Sequence, residues 1–159
     1  MGGAGMADRE RLVPLFPCHL EMKWADLYSK IVAPFVSQQR ETIWYGFSLF
    51  CKTIEEASLP ADIFIGGRFL TGCDAPEEIK FAVAVRRPLG ELSIAQTKML
   101  TELARSRDQW LERHHCEFAL FFDEGLDGDL TEMIDHWLNS TCINDLGPPI
   151  GAIMVKLCQ

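Results

Sequence analysis

Residues 61–87 read ADIFIGGRFLTGCDAPEEIKFAVAVRR, and this stretch decides the fold. It holds two apolar runs typical of β-strands, at 63–65 and 79–85, separated by Gly66-Gly67 and a polar link. In the second run, bulky apolar residues alternate with Lys80 and two alanines, the period expected of a strand with one deeply buried face. Glycines directly after a strand let the backbone turn tightly and approach a ligand, because no Cβ intervenes. The stretch therefore predicts two strands joined through a glycine turn.

Helical periodicity surrounds this pair of strands. Apolar residues spaced three and four apart predict one helix from Trp24, ended by Pro34, and a second from about 39 to 57. Downstream, Ser93 and Gln96 form a capping-box sequence that begins a helix running to about 105. A third strand at 116–122, a helix capped by Asp129 and a last strand at 150–157 complete the chain. The predicted class is α/β (α+β), in the order α-α-β-β-α-β-α-β, with helices packed on a mixed sheet of about four strands.

Length and composition indicate a single cytoplasmic domain. The 159 residues suffice for one core, predicted to span 11–159 after a Gly-rich flexible tail at 1–10. No run of about 18 apolar residues is present, so we expect no membrane span. The six cysteines are spread singly, without a CxxC pair, which favours reduced thiols over a disulfide framework or a zinc site.

The net charge of −8 is concentrated in one segment. Between Asp108 and Asp145 there are ten acidic residues and one basic residue, Arg113. Such a surface disfavours direct binding of nucleic acid and suits a basic protein partner, although an ordinary solvated face is the alternative. The residues that we assign to a partner-binding surface are Asp123, Glu124, Asp127, Asp129, Glu132 and Asp135.

The central stretch also carries a spaced pattern. Ile65-Gly66-Gly67 is followed, after ten residues, by Glu78-Ile79-Lys80-Phe81, and a further acid, Glu117, stands at the head of the third strand. This pattern resembles the nucleotidyltransferase superfamily of the DNA polymerase β type. More loosely, residues 12–157 are similar to small bacterial and phage proteins of that kind.

The resemblance implies a nucleotide site and also a defect in it. In the family, the glycine turn holds a triphosphate, here through Gly66 and Gly67 with Arg68 beside them, and three carboxylates hold two metal ions. Glu78 and Glu117 match two of those carboxylates, but Lys80 replaces the other. An ammonium does not ligate a metal, and Lys80 is expected to pair with Glu78 or Glu117 instead. The resemblance thus implies a vestigial site without catalysis, metal or cofactor, whereas the alternative is that Glu78 and Lys80 are merely polar residues on an exposed strand face.

These observations lead to a hypothesis for function and two alternatives. The hypothesis is a pseudoenzyme that inhibits another protein, as an immunity protein, antitoxin or phage counter-defence factor does, with a toxin, nuclease or nucleotide-handling enzyme as its basic partner. The first alternative is an active nucleotidyltransferase that uses Glu78 and Glu117 with Mg²⁺. The second is a nucleotide sensor that binds through Gly66, Gly67 and Arg68 without reacting.

Overall fold

A computed structural model of the protein describes residues 20–73, 75–123, 130–141 and 151–158. Within these ranges the chain forms one five-stranded mixed sheet in the order β1-β5-β2-β3-β4. The strands are β1 (Leu20–Glu21), β2 (Ala61–Gly66), β3 (Ile79–Pro88), β4 (Cys116–Asp123) and β5 (Ile153–Leu157). Strand β2 pairs antiparallel with both β3 and β5, whereas β4 lies parallel to β3 and β1 parallel to β5.

Five α-helices accompany the sheet in the described part of the chain. They are α1 (Trp24–Ile31), α2 (Gln38–Glu56), α3 (Ile94–Arg105), α4 (Arg107–His114) and α5 (Leu130–Thr141). The capping box predicted from the sequence is present at α3, where Ser93 and Gln96 bond each other's backbone amides. The Gln96 side chain also donates to the carbonyls of Ala57 and Ser58, so that it ties the start of α3 to the end of α2.

One face of the sheet is covered by α2, and the core between them is aromatic. Phe47 and Phe50 of α2 both meet Phe81 of β3 edge to face, with ring centroids 5.0 and 4.8 Å apart. Phe50 also contacts Phe118 of β4 and Trp110 of α4, at 4.7 and 5.2 Å. Edge-to-face pairs add to the free energy gained by burying the rings, so this cluster holds α2 and α4 against the sheet.

Helix α5 lies on the opposite face, against β3 and β4. Its apolar stripe buries Ile134 and Leu138, as the helical periodicity of the sequence requires. Since side chains alternate along a strand, Lys80 points to this face while Phe81 points to α2. The face that carries α5 is therefore also the face that carries the polar residues of β3.

The predicted fold class is confirmed, with differences in detail. The sheet has five strands rather than about four, because Leu20–Glu21 adds a two-residue strand too short to leave a period in the sequence. A separate helix, α4, follows α3 before the third predicted strand. Predicted strand 116–122 extends to Asp123, and the last strand begins at Ile153. The predicted tail at 1–10 lies outside the described residues. No described helix is long and apolar enough to cross a membrane.

Candidate functional site

Two strands bring three charged side chains together at one end of the sheet. Lys80 of β3 stands directly beside Glu117 of β4 in the parallel register. Its ammonium nitrogen Nζ lies 3.5 Å from Glu117 Oε2 and 3.8 Å from Glu78 Oε1. The pairing expected from the sequence is thus present with both carboxylates at once. All three side chains are partly exposed, so water screens the two ion pairs and each stabilises the fold only slightly.

The glycine turn lies against the stem of Lys80. Gly66 is the register partner of Lys80 across β2 and β3, and Gly67 follows with a φ of 79°. A Cβ at Gly67 would lie 3.4 Å from Lys80 Cδ, and the left-handed φ is itself costly for any other residue. The turn is therefore what requires glycine at position 67, since an added Cβ would make only an ordinary contact with Lys80.

An open cleft of about 440 Å³ extends from this turn. Its walls carry Gly67, Arg68, Lys80 and the pair Glu77 and Glu78, and the last turn of α5 closes one side with Ser140 and Thr141. The structure therefore brings together the predicted residues Gly67, Arg68, Glu78 and Lys80 around one space. Ser140 and Thr141 were not predicted, because two hydroxyl residues at a helix end look like an ordinary helix terminus.

A buried arginine shapes the loop behind the cleft. Arg40 is fully buried at the start of α2, and its guanidinium uses all five N–H donors. The carbonyls that accept them belong to Ile31, Phe69, Thr71 and Cys73. Rings of Phe35 and Phe69 stack on the guanidinium, with centroids 3.7 and 4.8 Å from its central carbon. Arg40 is therefore a positioning residue that fixes the course of the loop after the glycine turn.

The position of Arg40 in the sequence is itself a signal of burial, although no motif named above includes it. Arg40 precedes Ile43 by three residues and Phe47 by seven, which places it on the apolar stripe of α2. A charged residue on a buried stripe needs partners, and the carbonyls of an irregular loop supply them here.

The cluster of Glu78, Lys80 and Glu117 does not suit the pair of metal ions that the resemblance implies. A two-metal site needs carboxylate oxygens at both strand positions, and Lys80 places a cation within 4.0 Å of both remaining acids. In the part of the chain that the structure describes, no group of three or more His, Cys, Asp or Glu side chains is arranged to hold a metal ion. The residues present therefore suit an internal ammonium at this position better than a divalent cation.

The acidic surface is described only in part. Glu132 and Asp135 are exposed on α5, facing away from its buried stripe, and Asp123 is half-buried at the end of β4. The other predicted members, Glu124, Asp127 and Asp129, lie outside the described residues. Within the described part, α5 carries no lysine or arginine, so Glu132 and Asp135 have no strongly basic neighbour on that helix, although His136 is also exposed there.

A second ionic cluster lies on the same face of the sheet, at the other end of β2. Asp62 Oδ1 is 3.3 Å from Arg86 Nε, but these two atoms are not aligned as a hydrogen bond. Burial raises the pKa of Asp62, and the charges of Arg86 and Lys156 oppose that rise. Arg86 also donates from Nη2 to the carbonyl of Leu157. This cluster joins β2, β3 and β5, and we interpret it as structural.

Comparison with protein-family models matches residues 8–155 to a family of unknown function (DUF6932). No curated protein and no solved structure matches the chain.

Proposed function

The chain belongs to the DUF6932 family, whose function is unknown, and we propose that it is a non-catalytic protein that inhibits a basic partner. In this proposal, the fold derives from a nucleotidyltransferase-like scaffold and now serves a binding role in the cytosol. One observation carries it: a single ammonium, that of Lys80, lies within 4.0 Å of both acids that would otherwise hold metal.

The electrostatic argument is local. A divalent cation between Glu78 and Glu117 would stand where the Lys80 ammonium now stands, and the two positive charges would repel each other at that distance. Lys80 would have to lose its proton or swing away from its place beside Gly67. The supporting geometry thus favours a site that has exchanged catalysis for an ion-pair network.

The acidic outer face of α5 supports the binding role. Glu132 and Asp135 are exposed on a helix without lysine or arginine, and the sequence places further acids immediately before it. Charge complementarity of this kind mainly raises association rates and selects among partners. The partner class that fits is a basic protein, such as a toxin, a nuclease or a nucleotide-handling enzyme.

Catalysis is tested directly by incubation with labelled nucleoside triphosphates and Mg²⁺ or Mn²⁺. We expect no transfer of label to protein, RNA or small molecules. Transfer that disappears in Glu78→Gln and persists in Glu102→Gln, an exposed acid on α3, would overturn the proposal in favour of an active nucleotidyltransferase.

The binding role is tested by copurification from the protein's own host at low and high salt. A basic protein should be retained at low salt and released as ionic strength rises. The double variant Glu132→Gln, Asp135→Asn should weaken retention, whereas Glu55→Gln with Glu102→Gln, on helices packed on the other face, should not. Retention that is insensitive to salt and to the first pair would contradict the proposed surface.

One observation favours a second candidate, a nucleotide sensor. Arg68 and Lys80 line the same cleft as Gly67, so that two cations and a glycine turn face one space. Calorimetry with nucleoside triphosphates distinguishes the two, since the sensor requires saturable binding that Arg68→Ala weakens and Arg87→Ala leaves unchanged.

A further inference from the structure

The outer edge of β4 differs from the other edge of the sheet. The opposite edge is β1, which has only two residues, the kind of short edge that resists further pairing. Strand β4 has eight residues, CEFALFFD, and it carries no lysine and no proline. No described strand pairs with it on the side away from β3. A long apolar edge of this kind attracts another strand unless something covers it.

The ladder between β3 and β4 shows which backbone groups face outward. Ile79 donates its amide to the carbonyl of His115, and alternate residues of a strand direct their backbone groups to the same side. Ala119 and Phe121 therefore bond to β3, whereas Leu120 and Phe122 direct N–H and C=O away from the sheet. Among the described residues, Leu120 and Phe122 have no hydrogen-bond partner on that side.

The first part of the same edge is already occupied. Arg107 donates from Nη2 to the carbonyl of Phe118 at 2.8 Å, and its guanidinium lies over the Phe118 ring. This contact confirms that the carbonyl of Phe118 points outward, as the ladder requires. A groove of about 300 Å³ lies beside this contact, between α4 and the start of β4, and its lining includes Asp108, Leu111 and Glu117. The open part of the edge thus begins at Leu120, next to a groove that can take a side chain.

Charge decides what fits this edge. Glu117 and Asp123 stand at the two ends of β4, and Arg105 and Arg107 line the groove beside Glu117, so the Asp123 end is the more acidic of the two. In the longest antiparallel pairing of β4 with a second copy, residues 117–123 would meet their own counterparts and Glu117 would face Asp123 at both ends. Like charges directly opposite destabilise a strand pair, and two copies would each bring a net charge of −8. A second copy is therefore a poor occupant.

We propose that the edge of β4 accepts an extended segment of a partner protein whose apolar centre is flanked by lysine or arginine. Main-chain hydrogen bonds to Leu120 and Phe122 would supply the affinity, and the flanking cations would meet the acidic ends of the strand. This inference rests on the proposed basic partner and adds the way in which that partner binds.

Residue-level amide exchange of the intact protein tests the inference. The probe is a blocked peptide of alternating valine and threonine with a lysine at each end, and its control carries glutamates instead. Saturating lysine peptide should slow exchange at Leu120 and Phe122 by about tenfold or more. Exchange at Ala119 and Phe121, already bonded to β3, should change much less, and the glutamate peptide should protect none of them.

Other outcomes would overturn the inference. The inference fails if Leu120 and Phe122 exchange as slowly as Ala119 and Phe121 in the free protein, because the edge is then already covered. It fails equally if neither peptide slows them, or if a concentration-dependent dimer protects them without peptide. Leu120→Pro should abolish peptide binding, since proline removes the outward donor. If this variant does not fold, the exchange data decide alone.

Amide exchange and the retention experiment together distinguish a failure of this inference from a failure of the proposed function. Neutralising Glu132 and Asp135 tests the acidic face of α5 without touching the edge of β4. Salt-sensitive retention of a basic protein that leaves Leu120 and Phe122 unprotected would keep the proposed function and refute the edge.

Discussion

Lys80 Nζ and Glu117 Oε2 lie 3.5 Å apart on neighbouring parallel strands, and Glu78 completes the contact from the residue just before the strand of Lys80. One cation therefore contacts two acids beside the cleft. The relationship makes Lys80 the residue on which the chemistry of this site depends.

Replacing Lys80 by aspartate should create a cation site. With Lys80→Asp, three carboxylates would converge without a counter-charge, so we expect the variant to be less stable in the absence of metal. Mn²⁺ at about ten times its dissociation constant should then raise the free energy of unfolding by about 1.4 kcal/mol. Thermal unfolding with and without Mn²⁺ measures the effect. Lys80→Met is the control, and an equal gain in that variant or in the natural protein would contradict this interpretation of Lys80.

Substitution of Arg40 should be among the most destabilising changes in the chain. Arg40→Lys keeps the charge but offers three donors in place of five, which leaves buried carbonyls without partners. We expect the free energy of unfolding to fall by about 3 kcal/mol in denaturant titrations. The exposed Arg87→Lys is the matched control, and a similar small loss in both variants would refute the positioning role.

Two glycines should differ in how much they tolerate replacement by alanine. A Cβ at Gly46 would lie 2.7 Å from both the Cβ and the carbonyl oxygen of His114, so the contact between α2 and α4 would have to open. Gly46→Ala should therefore cost about 2 kcal/mol, despite the better helix propensity of alanine. A Cβ at Gly90 would meet nothing within 4 Å, and Gly90→Ala should change stability by less than about 0.5 kcal/mol. Equal effects in chemical denaturation would show that the two helices are not packed so closely.

Alkaline pH should destabilise the fold through Cys116. Burial raises the pKa of the Cys116 thiol from 9.0 to about 12, so the folded state keeps a proton that the unfolded chain releases. Stability from this group is complete below about pH 9 and is lost as pH rises towards about 12. The difference in unfolding free energy between the natural protein and Cys116→Ala should therefore shrink across that window. A difference that stays constant from about pH 8 to about pH 11 would show that the core does not shield the thiol.

The sequence predicted the centre of this structure well, for reasons that are local. The alternation around Lys80 fixed β3, and the same period placed Glu78 and Lys80 on one side of it. The resemblance to nucleotidyltransferases, rather than any local pattern, led us to expect Glu117 on the neighbouring strand and Lys80 paired with Glu78 or Glu117. The inference that the fold derives from nucleotidyltransferases remains a prediction.

What the sequence did not reveal depends on contacts between distant segments. Arg40 binds a loop that lies about thirty residues further along the chain, and no local pattern names that loop. Ser140 and Thr141 reach the cleft only because α5 packs across β3 and β4. Strand β1 forms by pairing with the edge of β5, and two residues are too few to show a strand period in the sequence.

The guanidinium of Arg40 has one more consequence. The guanidinium donates both to the segment before α2 and to the loop after the glycine turn. Movement of Arg40 would therefore break its hydrogen bonds to both segments together. The N-terminal end of α2 and the wall of the cleft should therefore behave as a single cooperative unit of local unfolding. The free energy of local opening measured by protease cleavage within the loop should then equal that measured by amide exchange at that helix end.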